Sequence, residues 1–264
     1  MLFDRKIIRQ CRASALSFSS SIFLEVAILL AGRVAFLQLD RASDILFLGC
    51  RGDPILSQFV PFFSSDHQVF LCDVVDSQLE DGRGYNRVVS DDEAMPFIGQ
   101  SFDLVISYLT LHNLNSLVEA ISRINSILGK GGVFIAATFG ESTLRGIKKA
   151  IISAEGGCVE PRIQPFPRSG DMAMLLQTCG FTDIVVDVSV ICISYVSLHH
   201  LYKDLKDMGE GDMVNKGSEP LEPGIMDKAW HLYRRSLAGK GEGEDTLPVE
   251  YEIIFLKGKK IAFD

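Results

Sequence analysis

The stretch formed by residues 43–54 constrains the fold more than any other part of the sequence. A short apolar run, 45–48, ends in a turn that contains Gly49 and Gly52, and the amphipathic segment 55–63 follows. This order is typical of a strand, a tight loop and the start of a helix. Glycine lets a loop backbone approach a ligand closely, and a helix N-terminus offers free N–H groups. The stretch therefore predicts the opening unit of a nucleotide-binding α/β sheet.

Hydrophobic periodicity predicts an alternation of strands and helices along the rest of the chain. Such an alternation favours an α/β fold with a doubly wound, mostly parallel sheet, in which ligands bind at the carboxyl ends of the strands. The two late strands indicate an antiparallel pair at one edge. The predicted strands are 44–48, 68–72, 86–89, 102–107, 133–138, 184–193 and 249–257, and the predicted helices are 19–38, 114–128, 141–154, 169–179 and 196–239.

Composition and charge exclude several classes of function. The formal charge of −8 and the pI near 5.2 argue against nucleic acid as the main partner, because phosphate binding needs a basic face. Glu25 and Arg33 interrupt the apolar stretch 22–39, and the N-terminus lacks the pattern of a secretory signal, so we predict a soluble cytoplasmic protein without a membrane span. We also expect a monomer, although no pattern in the sequence determines the oligomeric state. The cysteines show no metal-ligand spacing, which predicts reduced thiols and no metal site. They are Cys11, Cys50, Cys72, Cys158, Cys179 and Cys192.

Acidic residues follow two of the predicted strands. Asp73 stands 24 residues after Gly49, at the end of the second strand, and Asp91 and Asp92 follow the third. In nucleotide-binding sheets an acid after the second strand accepts hydrogen bonds from a ribose. Each of these residues alone is also typical of a turn or a helix cap. Because they occur in register at consecutive strand ends, we favour a ligand site.

A first helix is predicted over residues 3–15, with four basic residues on one face. We interpret this face as solvated, and the alternative is a surface for an acidic partner. The basic residues are Arg5, Lys6, Arg9 and Arg12.

Several motifs carry a resemblance to a known family. They are 3–5 (FDR), 91–97 (DDEAMPF), 101–107 (SFDLVIS), 109–112 (LTLH), 128–134 (LGKGGVF), 138–144 (TFGESTL) and 205–209 (LKDMG). Through them the chain resembles the class I S-adenosylmethionine (SAM) dependent methyltransferases. It is most similar to the group that holds the malonyl-carrier-protein methyltransferase of biotin biosynthesis (BioC) and a complex I assembly factor proposed as an arginine hydroxylase.

The resemblance implies a Rossmann-like sheet of order 3-2-1-4-5-7-6, with strand seven antiparallel, and SAM as the cofactor, with S-adenosylhomocysteine as product. The glycine loop would line the methionine end of SAM. The acid after strand two would bind its ribose, and the acids after strand three would bind the edge of its adenine. The backbone after strand four would floor the pocket. The implied cofactor-binding residues are Gly49, Cys50, Arg51, Gly52, Asp73, Val74, Asp91, Asp92 and Tyr108.

The glycine loop departs from the family pattern. Phe47 stands where the family usually has an acid, and Arg51 and Asp53 stand where it has glycines. A side chain at a close-approach glycine can obstruct the ligand. Alternatively, Arg51 could pair with the methionine carboxylate and Asp53 with the ammonium group. The sequence leaves both interpretations open. Asn113 also stands where the relatives often carry tryptophan.

The leading hypothesis is a BioC-like methyltransferase that transfers a methyl group to the malonyl carboxylate of an acyl carrier protein. The alternative within the family is a complex I assembly factor or arginine hydroxylase that acts on a respiratory-complex subunit. A methyltransferase fold without turnover, serving as a binding module, is a further hypothesis. NAD binding is disfavoured because the loop lacks the G-x-G-x-x-G spacing. His112 is the candidate acid or base, and a packed histidine is the alternative.

One domain is predicted for residues 1–264. It would consist of an N-terminal helical segment (1–40), a cofactor-binding core (41–140), a helical substrate cover with a late strand (141–248) and the last strand (249–264).

Overall fold

A seven-stranded sheet organises the chain. The computed structural model describes residues 3–15, 21–37, 39, 42–79, 84–157, 163–211, 223–237 and 245–261. The strands are β1 (Asp44–Leu48), β2 (Gln68–Asp73), β3 (Asn86–Val89), β4 (Phe102–Tyr108), β5 (Leu128–Phe139), β6 (Phe181–Tyr195) and β7 (Leu247–Lys260). Their order is β3-β2-β1-β4-β5-β7-β6, and β7 is antiparallel to both of its neighbours. The predicted topology is confirmed.

The helices form a layer on each face of the sheet. They are α1 (Arg5–Ala13), α2 (Ser21–Val34), α3 (Asp53–Leu56), α4 (Leu117–Ile127), α5 (Arg145–Ala154), α6 (Ser169–Thr178), α7 (Leu198–Asp207) and α8 (Pro223–Ser236). Successive β1 residues point to opposite faces, so Phe47 joins the apolar cluster of α2, α3, α5, α7 and α8, and Leu46 joins that of α4 and α6. The remaining helix, α1, carries Arg12, whose Nη2 donates to the carbonyl oxygen of Leu109 just beyond β4, so α1 lies at the carboxyl end of the sheet.

Two predicted helices differ from the structure for a local reason. The segment 55–63 was expected to continue as a helix, yet α3 is a single turn, and a 3-10 helix, Val60–Phe62, follows it. Pro61 lies in this segment, and a proline has no N–H with which to continue an α-helix. The predicted helix 196–239 is divided into α7 and α8, with residues 212–222 between them outside the described chain.

The long strand β5 begins earlier than predicted. Leu128 already pairs with Phe102, and the register shifts between Phe102 and Leu104. Gly131, with φ of 73°, lies in this irregular part of the strand. An irregularity of this kind absorbs extra residues without ending a strand, which is why residues 128–132, ahead of the predicted strand, are part of β5.

The described cysteines, Cys11, Cys50, Cys72, Cys179 and Cys192, form no disulfide, and Cys158 lies outside the described residues. Over the described part of the chain, no helix combines the length and the apolar character that crossing a membrane requires.

Gly49 ends β1 in a conformation that only glycine fits. Its φ is 74°, and its N–H donates to the carbonyl oxygen of Cys72 at 2.9 Å. A Cβ at this position would lie 2.5 Å from the carbonyl oxygen of Tyr108 and would also clash with Thr110. The glycine therefore fixes the spacing between the ends of β1, β2 and β4.

We expect Gly49→Ala to lower the free energy of unfolding by about 2–4 kcal/mol, because left-handed strain adds to a backbone clash. Urea titration followed by circular dichroism measures this loss. Gly84→Ala is the matched control, since Gly84 has φ of 83° and nothing within 4 Å of a Cβ, so it should lose about 1–2 kcal/mol. Equal losses in the two variants would contradict a decisive clash at Gly49.

Candidate functional site

The carboxyl ends of β1, β2 and β4, with the loop after β3, surround a small polar cavity beneath α1. Its volume is about 10 Å³, whereas pockets that hold small molecules measure roughly 300–1,000 Å³. The fold brings four of the residues predicted from the sequence to this cavity. The lining residues are Arg5, Ile8, Arg12, Gly49, Asp73, Val74, Asp92, Thr110 and Asn113.

Two buried carboxylates of the cavity have an oxygen without a hydrogen-bond partner. Oδ1 of Asp73 accepts the N–H of Val74 at 2.8 Å, while its Oδ2 has no donor among the described residues and lies 3.8 Å from Nη1 of Arg12. Oδ1 of Asp92 likewise has no donor in the described part of the chain. Burial, followed by the charge of Asp73, raises the pKa of Asp92 to about 7. Both oxygens can accept a hydrogen bond from a ligand.

Asp91 is already bound within the chain. Its Oδ2 accepts a hydrogen bond from Nε of Arg5 at 2.9 Å, and its Oδ1 accepts one from Nη2 at 2.5 Å. The third donor of Arg5, Nη1, reaches the carbonyl oxygen of Asn113 at 2.8 Å. Although burial alone would raise the pKa of Asp91, the hydrogen bonds from Arg5 lower it below its usual value. Asp91 therefore holds α1 in place in this structure.

The basic face of α1 was interpreted as solvated, and this interpretation is wrong for two of its four residues. Lys6 and Arg9 are exposed, but Arg12 is only 3% exposed and Arg5 is half-buried. Arg12 lies between Asp73 and the carbonyl oxygen of Leu109, to which its Nη2 donates at 3.2 Å. Carboxylates and carbonyls at the strand ends attract these two guanidinium groups into the site.

Arg51, the residue that departs from the glycine pattern, is completely buried. Its backbone has φ of 52°, and its guanidinium lies 4.3 Å above the ring of Phe23. It donates to the carbonyl oxygens of Met208 at 3.1 Å and Leu109 at 3.0 Å, and it forms an ion pair with Glu210. The side chain therefore fills the space beside the glycine loop.

Glu210 connects the loop after α7 to the site. Oε1 contacts Arg51 and lies 3.8 Å from Nη2 of Arg12, while Oε2 lies 3.2 Å from both His112 Nε2 and Asn113 Nδ2. Although burial alone would raise the pKa of Glu210, the neighbouring cations, with Arg51 first, hold it well below its usual value. Glu210 is therefore ionised and serves as the counter-ion of two arginines.

His112, the candidate acid or base, has a partner at each ring nitrogen. Nε2 faces Glu210, and Nδ1 lies 3.4 Å from the hydroxyl oxygen of Thr138. The ring packs edge-on against Phe139, with the centroids 4.9 Å apart, and burial lowers the pKa of His112. A neutral imidazole can donate from Nε2 to Glu210 and accept at Nδ1 from Thr138. This arrangement is that of the alternative, a packed histidine.

The other residues singled out from the sequence pack around the glycine loop and do not line the cavity. Phe47 packs edge-on against Phe59, with the ring centroids 4.8 Å apart, and so lies in the core. The N–H of Gly52 donates to the carbonyl oxygen of Gln78 at 3.1 Å, and the buried hydroxyl of Tyr108 donates to the carbonyl oxygen of Phe23 at 2.6 Å. Cys50 is also buried.

The cofactor implied by the sequence fits one half of this site. The unpartnered oxygens of Asp73 and Asp92 match the hydroxyl and amino donors of an adenosyl group. At the other half, Arg51 and Glu210 occupy the space beside the loop that would receive the amino-acid end. The described conformation therefore has room neither for that end nor for the whole cofactor.

Sequence reasoning missed three residues of the site: Arg5 and Arg12 as site residues, and Glu210 entirely. A signal for Arg5 and Glu210 was present, because Arg5 belongs to the motif 3–5 and Glu210 directly follows the motif 205–209. Each motif was recognised, but neither motif indicates that its residues meet at the strand ends.

Comparison with known proteins identifies the fold and its relatives. Residues 46–136 match the model of a methyltransferase domain. The chain is 31% identical over 235 residues to the mitochondrial arginine-hydroxylase NDUFAF5 of Homo sapiens, covering 84% of this chain and 67% of the relative. It is 27% identical over 169 residues to malonyl-[acyl-carrier protein] O-methyltransferase 1 of Coxiella burnetii, covering 64% and 57%.

A solved structure adds support for the fold. Phosphoethanolamine N-methyltransferase 2 of Haemonchus contortus, in complex with phosphomonomethylethanolamine and S-adenosylhomocysteine, superposes with a TM-score of 0.55 at 15% identity. The match covers 96% of this chain and 60% of that one. Among curated relatives, the chain spans between half and about two thirds of the length of the human, rat and mouse arginine-hydroxylase proteins, and 37% of the length of the Dictyostelium discoideum one.

The raised pKa of Asp92 predicts a pH-dependent cost to stability. An unfolded aspartate ionises near pH 3.9, so the folded state loses stability relative to Asp92→Asn as the pH rises from about 4 to 7. The stability advantage of the variant should grow by up to about 4 kcal/mol over this window and stay constant above it. Urea titrations of both proteins between pH 4 and 8 measure the difference.

Asp66→Asn, at an exposed aspartate, is the control and should show no comparable trend. If the difference between Asp92→Asn and the original protein were constant with pH, Asp92 would not be a protonated buried group.

Proposed function

Because the chain belongs to the class I SAM-dependent methyltransferases, we propose that it binds SAM at the carboxyl ends of β1 to β4 and methylates an acceptor carried by another protein. The observation that carries this proposal is the pair of buried carboxylate oxygens, on Asp73 and Asp92, that have no donor among the described residues. A buried acceptor without a donor costs about 1–3 kcal/mol, and a bound adenosyl group would recover that cost.

Each carboxylate would hold a different part of the adenosyl group. Oδ2 of Asp73 would accept a ribose hydroxyl, since Asp73 ends β2 and its other oxygen is already bound to Val74. Asp92, with a pKa of about 7, is protonated in part of the population and can then also donate to a ring nitrogen of adenine. Arg51 would pair with the carboxylate of the amino-acid end.

SAM, when bound, supplies a methyl group on an activated sulfonium. The residues of this chain then need only to position the acceptor, and a carboxylate acceptor requires no base. His112 has partners at both nitrogens, so in its described position it orients Glu210 and moves no proton. No residue of the chain therefore needs to transfer a proton during methylation of a carboxylate.

A basic groove beside the site suits an acidic protein partner. It has a volume of about 450 Å³ and contains four basic residues and one acidic residue, although the whole chain carries a charge of −8. Glu141, which pairs with Arg168 at 2.8 Å, lies two residues after Phe139, and Phe139 packs on His112. The groove residues are Glu141, Ser142, Arg145, Lys148, Lys149, Ile152 and Arg168.

The acceptor in this proposal is the malonyl carboxylate of an acyl carrier protein, as in the Coxiella relative. The likeness to the arginine hydroxylase suggests a different reaction. The family resemblance of the sequence then implies modification of a protein subunit of a respiratory complex, for which the same groove would serve. Charge complementarity at the groove favours an acidic carrier. The cytoplasmic location inferred from the sequence stays a prediction.

A second candidate function is a binding module without turnover. The buried ion pair between Arg51 and Glu210 favours it, because this pair satisfies itself and closes the amino-acid half of the site. Such a module would bind no SAM, so ligand binding distinguishes the two candidates.

Asp73→Asn tests the adenosyl site. We expect the dissociation constant for SAM, measured by isothermal titration calorimetry, to increase at least about tenfold, the effect of losing one charge-assisted hydrogen bond. Asp66→Asn, at an exposed aspartate, should leave it unchanged. No binding of SAM to the original protein would favour the module, and equal binding to Asp73→Asn would place the ribose elsewhere.

The double variant Lys148→Glu and Lys149→Glu tests the groove. We expect its affinity for a malonyl-loaded acyl carrier protein to fall at least about tenfold at low salt, with a smaller difference at high salt. Surface plasmon resonance at two ionic strengths measures this. The control reverses Lys130 and Lys259, which are exposed and lie toward the opposite end of the sheet. An equal loss in both double variants would indicate a general charge effect rather than a docking groove.

A further inference from the structure

Glu210 and α1 together form one cover over the site. Gly209, with φ of 76°, packs so closely on α1 that a Cβ would lie 3.2 Å from the carbonyl oxygen of Cys11. The N–H of Glu210 donates to the carbonyl oxygen of Leu205 at 2.8 Å, which returns the chain from α7 toward the site. The position of the Glu210 carboxylate is therefore set by backbone contacts with both helices.

The carboxylate of Glu210 has the surroundings expected for a bound anionic ligand. It receives an ion pair from Arg51, a charge contact from Arg12 and neutral donors from His112 and Asn113. Arg51 belongs to the loop after β1, between Gly49 and Gly52, and this is the loop expected to meet the amino-acid end of the cofactor. The carboxylate that fills this anion site belongs to the chain itself.

We propose that Glu210 is a specificity-determining residue that occupies the place of the cofactor carboxylate on Arg51. This inference rests on the proposed function. A ligand that carries both an adenosyl group and a carboxylate must exchange its carboxylate for that of Glu210, and the cover moves with Glu210. A ligand with the adenosyl group alone leaves Glu210 and Arg51 paired.

The exchange conserves charge at the buried arginines. Arg51 and Arg12 are buried, so each needs a counter-ion, and one carboxylate replaces another without leaving either guanidinium unpaired. A neutral adenosine derivative cannot make this replacement. Competition with Glu210 therefore weakens the binding of ligands that carry a carboxylate. Ligands without a carboxylate bind without this competition.

The test compares two ligands with the same adenosyl group. S-adenosylhomocysteine has the amino-acid carboxylate, and 5′-methylthioadenosine lacks it. For Glu210→Gln we expect the dissociation constant of S-adenosylhomocysteine to decrease at least about tenfold, because the competing carboxylate is gone, while that of 5′-methylthioadenosine changes less than about twofold. Glu250→Gln, at an exposed glutamate, is the control and should change neither constant.

A measurement on the unaltered chain covers the case in which Glu210→Gln does not fold. Hydrogen exchange at residues 205–211 should become at least about tenfold faster when S-adenosylhomocysteine saturates the protein, and should not change with 5′-methylthioadenosine. Weaker or unchanged binding of S-adenosylhomocysteine to a folded Glu210→Gln would overturn the role of Glu210 while the proposed function stands. Binding of neither ligand to either protein would overturn the proposed function, and this inference with it.

Discussion

A buried cluster of four charged side chains fills the site at the carboxyl ends of the strands. Arg51 and Arg12 contribute the positive charges, and Glu210 and Asp73 the negative ones, so the cluster is balanced. Removing charges from water costs several kcal/mol per ion, and deleting one partner of such a pair costs about 3–5 kcal/mol. Because its members come from α1, two strand ends and the loop after α7, the cluster joins segments that are far apart in the sequence.

The charged cluster lies at the carboxyl ends of the strands, where ligands bind in this fold. Contacts that stabilise the fold therefore compete there with contacts to a ligand. Parallel strands deliver their loops to one edge, where Asp73 and the loop of Arg51 meet. The carboxylates of such an edge can bind a ligand or an internal arginine, and in this chain Arg5 already holds Asp91. When these carboxylates bind arginines of the chain, the protein gains internal ion pairs. When they bind a ligand instead, the protein gains contacts with that ligand. Ligand affinity is therefore the difference between two sets of similar contacts.

The sheet could be predicted from the sequence, but the site only in part. Strands such as β4 are continuous apolar runs, and their order follows from a recognisable family pattern. Periodicity shows that Arg5 and Arg12 share a helix face, yet it does not show what lies opposite that face. Glu210 is 159 residues from Arg51, and no local pattern reports a contact at that distance. At the site, the predictions that failed concern charges whose partners are supplied by the tertiary fold.

The two candidate functions differ in what they leave unexplained. A binding module accounts for the pairing of Arg51 with Glu210, but it gives no reason for Asp73 and Asp92 to retain buried oxygens without donors. An adenosyl ligand supplies those donors, and displacement of Glu210 then explains how the amino-acid end enters. An arginine at φ of 52° also costs about 1–2 kcal/mol relative to an ordinary backbone conformation. A guanidinium that binds two alternative carboxylates gives this strained residue a function, and for that reason we favour the methyltransferase.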